Sequence, residues 1–426
     1  MNDHLVDPLG SSAFCAAAAK AGHFDTLLWL REHGDCHWGV DTCAAAASNG
    51  HMQVLQSLRS HGCRWSVHTC SAAALGGHLD VLKWAREQGC PWSTQTTANA
   101  ARGGHMEVLQ WLLANRCPWN KKACGAAAAS GRLEVLKWLR EQGCPFDCDT
   151  FTMAAKGGNF EVVQWLEEQG CMMDSTRLRA EAAKEGHVKI LQWLWDKNEW
   201  SKSGEARLYY LAAAGGHLEV VKWMHGKGCD LTNECLLGFH AAKRGHMAVL
   251  KWARKQGLDC SGVCGGAITG GHVGVLRWAR AKGYPWLGCK YEISDAIRLA
   301  NWNVLKWASE NDYPRGDWCK IAASYRRLDM LKWLREQGCP WDNDTCAEAA
   351  STGNLEMLIW ARENGCPWDE ACIRRSARSG HWHVVEWAVE HGCPYDATAL
   401  RMNCVEVWPT LRLVLLEKTR KGKKQA

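Results

Sequence analysis

Along most of the chain the apolar positions alternate between two textures. One is a short run of small residues, as in Cys43-Ala44-Ala45-Ala46-Ala47; the other is a stretch such as 78–88, where Leu79, Val81, Leu82, Trp84 and Ala85 cover most of a helical wheel. In that stretch Asp80, Lys83 and Glu87 leave a polar stripe at i, i+3 and i+7. The spacing predicts a helix flanked by neighbours on most of its surface. Asp41 and Thr42 are placed to cap the preceding alanine helix through their side-chain oxygens, and Ser48-Asn49-Gly50 ends it. The second helix is expected from His78 to about Gln88, with Gly89 as its stop.

This pair of textures recurs. Trp29, Trp84, Trp111, Trp138, Trp165, Trp193, Trp223, Trp252, Trp278, Trp307, Trp333, Trp360 and Trp387 hold equivalent places, with Ser57 standing in once, so the chain contains fourteen units. The step is 27 from Ser57 to Trp165, runs 28, 30, 29, 26, 29 and 26 as far as Trp333, and then returns to 27. A period of this length overrides chain length as a guide to domains and predicts one solenoid. Its expected span is 1–417, with regular units over about 13–180 and 317–400 and irregular ones over about 181–316. A C-terminal cap is expected at about 397–417, and a basic, disordered tail at 418–426.

Isolated helices this short are marginal in water. Stability is therefore expected from stacking each unit on the next, with the tryptophan, leucine and valine ladder as core. The loop aromatics of Pro91-Trp92, Pro118-Trp119, Pro285-Trp286, Pro340-Trp341 and Pro367-Trp368, with Phe146 and Tyr395 as variants, read as wedges between units.

The segment Ala212-Ala213-Ala214-Gly215-Gly216-His217-Leu218-Glu219-Val220-Val221-Lys222-Trp223 resembles the centre of the ankyrin repeat. The resemblance covers roughly 13–400. The usual unit is about 33 residues; the six or so missing here fall where ankyrin places its β-hairpin finger. The Thr-Pro-Leu-His tetrapeptide is replaced by Asp41-Thr42-Cys43-Ala44, so the hydrogen bonds of that histidine are expected to be lost. The resemblance thus implies an all-α, ankyrin-like helix-turn-helix solenoid, a curved stack with little or no β structure.

The 23 cysteines follow the repeat, either after a helix end, as in Gly89-Cys90, or at the start of the next helix, as Cys43, Cys70, Cys124 and Cys346 do. Equivalent cysteines of stacked units lie about 8–10 Å apart, beyond the roughly 7 Å limit of a disulfide. They read as small buried apolar residues in a reducing compartment. Recurring histidines suggest metal ligands, but His78 and Cys90 bracket a helix and stand about 16 Å apart, too far for one zinc. No nucleophile–base pairing, phosphate loop, metal site or cofactor site is expected, and the chain reads as a non-enzyme. Without a signal peptide or a membrane-length apolar run, it is expected in the cytoplasm.

Of the net charge of +6, +5 belongs to residues 401–426, which carry seven Lys/Arg and two Glu. The array body has no overall basic excess of the kind that phosphate neutralisation needs, so nucleic acid is not the expected partner. The tail offers a nuclear-import contact. The surface positions that packing leaves free are most distinctive in the later units. They hold Tyr210, Phe239, His240, Lys243, Arg244, Arg298, Lys320, Tyr325, Arg326, Arg374, Arg375 and Arg378. Tyrosine and arginine are frequent interface anchors. The expected function is a monomeric, non-catalytic scaffold or adaptor that binds a protein on its inner, alanine-helix surface. The alternative is an acidic macromolecule held by the later Arg/Lys positions and the tail.

Overall fold

The computed structural model describes residues 11–33, 37–200, 204–229, 236–258, 260–286, 290–311 and 313–395. The expected C-terminal cap at about 397–417 and the basic tail at 418–426 lie outside them. The described residues form 28 helices and no strand, paired two by two as fourteen helix-turn-helix units. They divide into two compact bodies, Met1–Glu234 with eight pairs and Cys235–Ala426 with six.

Within each body the first helix of a pair packs on the first helix of the next. Their buried sides are small: Thr69, Cys70, Ala73 and Ala74 in Val67–Gly76, and Thr96, Thr97, Ala100 and Ala101 in Thr94–Gly103. Small side chains let these backbones approach. The bulk comes from the second helices, where Val81, Leu82 and Ala85, or Val108, Leu109 and Leu112, are buried against the first-helix layer.

The capping residue differs from the expected one. Val40–Ser48 begins before Asp41, and Thr42 is buried inside the first turn, where its Oγ1 accepts the Gly39 N–H at 3.3 Å. In the regular units the cap is the residue after the loop aromatic. Ser93, Asn120, Asp147 and Asp369 each take an amide of the first turn. Where the spacing is irregular this cap is missing: Glu205–Gly215, Leu237–Lys243 and Val263–Gly270 start without a side-chain cap bond.

The tryptophans also depart from a simple core. Trp84, Trp111 and Trp138 are half-buried and Trp29 is 58% exposed, whereas Trp307 is buried. Among the described residues no further helix layer packs outside the second helices, so an indole on their flank is covered on one side only. That cover is the wedge from the preceding unit's loop: Trp65 meets Trp84 edge-on at 5.7 Å, Trp92 meets Trp111 at 5.9 Å and Trp341 meets Trp360 at 6.0 Å. An arginine closes each wedge. Arg86 lies 3.9 Å over the Trp92 ring and donates from Nη1 to the Cys90 carbonyl, and Arg59 and Arg335 repeat both contacts on Trp65 and Trp341.

Candidate protein-binding surface

In the first body the first helices Thr94–Gly103, Lys121–Ala129, Cys148–Lys156 and Ser175–Glu185 line a surface groove of about 560 Å³. Its floor is Ala98, Gly125, Ala126, Ala129 and Met153, and Met153 is 42% exposed. Its rim carries both signs of charge. Lys121 Nζ lies 2.7 Å from Asp147 and 3.6 Å from Asp149, and Arg177 donates to Asp149 at 3.0 Å. Burial works against the Asp147 charge, but the Lys121 ammonium and the Thr150 amide hold its carboxyl below the usual range. This groove lies in the most regular units and was missed in the sequence. Its signals are Gly125 interrupting an alanine run and Met153 at a position that small residues fill elsewhere.

In the second body an ion-pair relay crosses three first helices, Trp318–Ser324, Asn343–Ser351 and Glu370–Arg378. Lys320 Nζ is 2.6 Å from Asp344, and the Arg375 guanidinium spans Asp344 and Glu348 at 2.8 Å each. Lys320 and Arg375, both expected site residues, thus meet through Asp344. Asp344 and Glu348 are legible only as an i,i+4 acid pair on an alanine helix. Arg374 pairs with Glu370 at 3.4 Å, and Arg298 with Asp295 at 2.8 Å. Those four cations already face carboxylates.

The remaining expected residues are placed as follows. Phe239 and His240 are half-buried with their rings 5.5 Å apart, and Lys243 Nζ lies 6.0 Å from the Phe239 ring. Burial, then the Lys243 charge, pulls the His240 imidazole below its ordinary range. Arg244 is exposed at the end of the same helix, and Arg378 ends Glu370–Arg378. Tyr325 is 42% exposed, and Arg326 beside it has φ +59°. Tyr210, half-buried in Glu205–Gly215, belongs to the first body.

The helix-start histidines have a structural task. His51, His78, His105 and His187 each place Nε2 within 2.9–3.2 Å of a first-helix carbonyl of the preceding unit. These bonds tie the start of each second helix to the first helix of the preceding unit. Among the described residues no group of three or more His, Cys, Asp or Glu is arranged to hold a metal ion, and no helix is long and apolar enough to cross a membrane.

Family models described as ankyrin repeats match residues 98–140, 124–167 and 151–235. The helix pairs over residues 98–235 match ankyrin repeats. Their unit is short, and the place of the finger is taken by a tight loop carrying the wedge aromatic and the helix cap. Among solved structures, the chain is similar to the human ASB11 ankyrin repeat domain at 20% identity, covering 38% of this chain and 85% of that one, with a TM-score of 0.29. It is also similar to the maize pentatricopeptide repeat protein PPR10 at 12% identity, covering 97% of this chain and 74% of that one, with a TM-score of 0.31. No curated protein matches the chain in sequence. Ankyrin repeats are modules of protein–protein interaction.

Proposed function

We propose that this chain is a non-catalytic scaffold that captures a protein partner on the first-helix surface of its ankyrin repeats. The observation that carries the reading is the open space beside Gly125. Glycine inside a helix costs about 1 kcal/mol relative to alanine. A Cβ here would meet only the Met153 side chain, at an ordinary 3.7 Å. Packing within the chain does not require the missing methyl, whereas a polypeptide laid across the groove can use it to approach the helix backbone.

Met153 supplies an apolar anchor, and Lys121, Asp147, Asp149 and Arg177 supply a rim of both signs that fixes orientation more than affinity. In the second body Tyr325, Arg326 and the Lys320–Asp344–Arg375 relay extend the reading to that body's own first helices. The test is affinity capture from native cells with three forms: the intact chain, a Gly125→Glu/Met153→Glu variant and a Tyr325→Ala/Arg374→Glu variant. A protein captured by the intact chain and lost from at least one folded variant is the expected result. An identical captured set for all three removes the first-helix surface as the binding face.

A further inference from the structure

The second repeat brings together two cysteines that stand twenty residues apart in the sequence. Cys43, in a first helix, and Cys63, just after the second helix of the same repeat, are both buried, with their sulfurs 3.2 Å apart and Cys43 donating. The same two places hold Cys70 with Cys90, Cys124 with Cys144, Cys319 with Cys339 and Cys346 with Cys366, and there the Sγ of Cys70, Cys319 and Cys346 reaches the carbonyl of Cys90, Cys339 and Cys366 at 3.9, 3.9 and 4.0 Å. Where the first place is not cysteine, another group faces the second: Thr97 Oγ1 lies 3.6 Å from Cys117, and the Tyr209 hydroxyl donates to the Cys229 carbonyl at 3.4 Å. Cys15, at the first place of the opening repeat, is disulfide-bonded, which corrects the reading of the cysteines as packing residues alone.

A sulfur pair at 3.2 Å needs to close by only about 1 Å to reach the disulfide length of roughly 2.05 Å. We propose that Cys43 and Cys63 are an oxidative modification site, converting from a dithiol to an intra-repeat disulfide by exchange with a low-molecular-weight disulfide.

Cys63 attacks, being 3% exposed against 0% for Cys43. It gives its proton to solvent, and its thiolate breaks the S–S bond of the small disulfide, releasing one half as a thiolate. The hydrogen bond from Cys43 and the nearby Arg59 charge favour that thiolate. Cys43, deprotonated in turn, attacks the Cys63 sulfur of the mixed disulfide and expels the other half. Two protein thiols are oxidised and one small disulfide is reduced to two thiols. Because the sulfurs are buried, local opening of the repeat admits the reagent. The product ties the first helix to the loop that bears the wedge aromatic.

The test equilibrates the reduced full chain with bis(2-hydroxyethyl) disulfide and 2-mercaptoethanol at graded ratios. The sample is then quenched with acid, alkylated, and digested without reduction for mass spectrometry. Expected is a linked peptide pair for Cys43 and Cys63, with two alkylatable thiols lost there and helicity unchanged. Cys117 and Cys229 should carry only the alkyl group or a hydroxyethyl adduct. In Cys43→Ser, Cys63 should join that class. Cys43 and Cys63 still reduced at the most oxidising ratio, or Cys63 linked to a cysteine of a different repeat in the folded chain, would overturn the proposal.

Discussion

The imidazole of His105 reaches back thirty residues to the carbonyl of Leu75, with Nε2 2.9 Å from the oxygen. A carbonyl only accepts, so Nε2–H of His105 is the donor to the neighbouring repeat. His105→Ala strands that acceptor at the end of Val67–Gly76 and should cost about 1–2 kcal/mol. His105→Asn should recover much of it, because Asn159 makes the equivalent bond, from Nδ2 to the Ala128 carbonyl at 2.8 Å. Hydrogen exchange of the amides around residues 73–79 reads the difference locally. Equal loss of protection in both variants would contradict the assigned role.

Two glycines with the same backbone angle should respond differently to one methyl group. Gly77 and Gly89 both have φ +79°, but a Cβ on Gly77 would fall 2.5 Å from His105 Nδ1, while one on Gly89 meets nothing within 4 Å. Gly89→Ala should cost only the left-handed backbone term, about 1 kcal/mol. Gly77→Ala should cost clearly more, because the inter-repeat histidine must move. Denaturant unfolding of the two variants side by side checks the order, and the reverse order would refute it.

Arg326 occupies a left-handed position that glycine fills before most of the helix-start residues, as Gly77 and Gly353 do. Strain of this kind, about 1 kcal/mol or more, tends to persist where function needs the side chain. Arg326→Gly should therefore raise stability by about 1 kcal/mol while weakening capture of the protein partner. A stabilised variant with undiminished capture would separate Arg326 from the binding face.

Acid should loosen the relay of the second body. The Lys320 ammonium, hydrogen-bonded to Asp344 and with Arg375 adding its charge, holds the Asp344 carboxyl below its ordinary range, and Lys320 is raised in return. A depressed carboxylate contributes stability that is fully present above its unfolded value, here 3.8, and that is lost as pH falls through the folded value. The amides of Asn343–Ser351 should lose protection over that acid range, and Asp344→Asn should remove the pH dependence while lowering protection at neutral pH. An acid limb unchanged in Asp344→Asn would assign it to other carboxylates.

The sequence by itself determined the repeat, the two helices of each unit, their glycine stops and the ankyrin likeness. Each follows from local periodicity and backbone preference, which act over a few residues and return identically in every copy. The buried faces of the second helices, Val81, Leu82 and Ala85, were legible for the same reason. Tertiary structure decided what happens across twenty to thirty residues. It set Cys43 against Cys63 within a repeat and His105 on Leu75 between repeats, left Trp84 half-covered, and joined Lys320 to Arg375 through Asp344. A helical wheel gives the direction of a side chain but not what the returning chain places opposite it. That is settled only when loop length and backbone separation bring the two together.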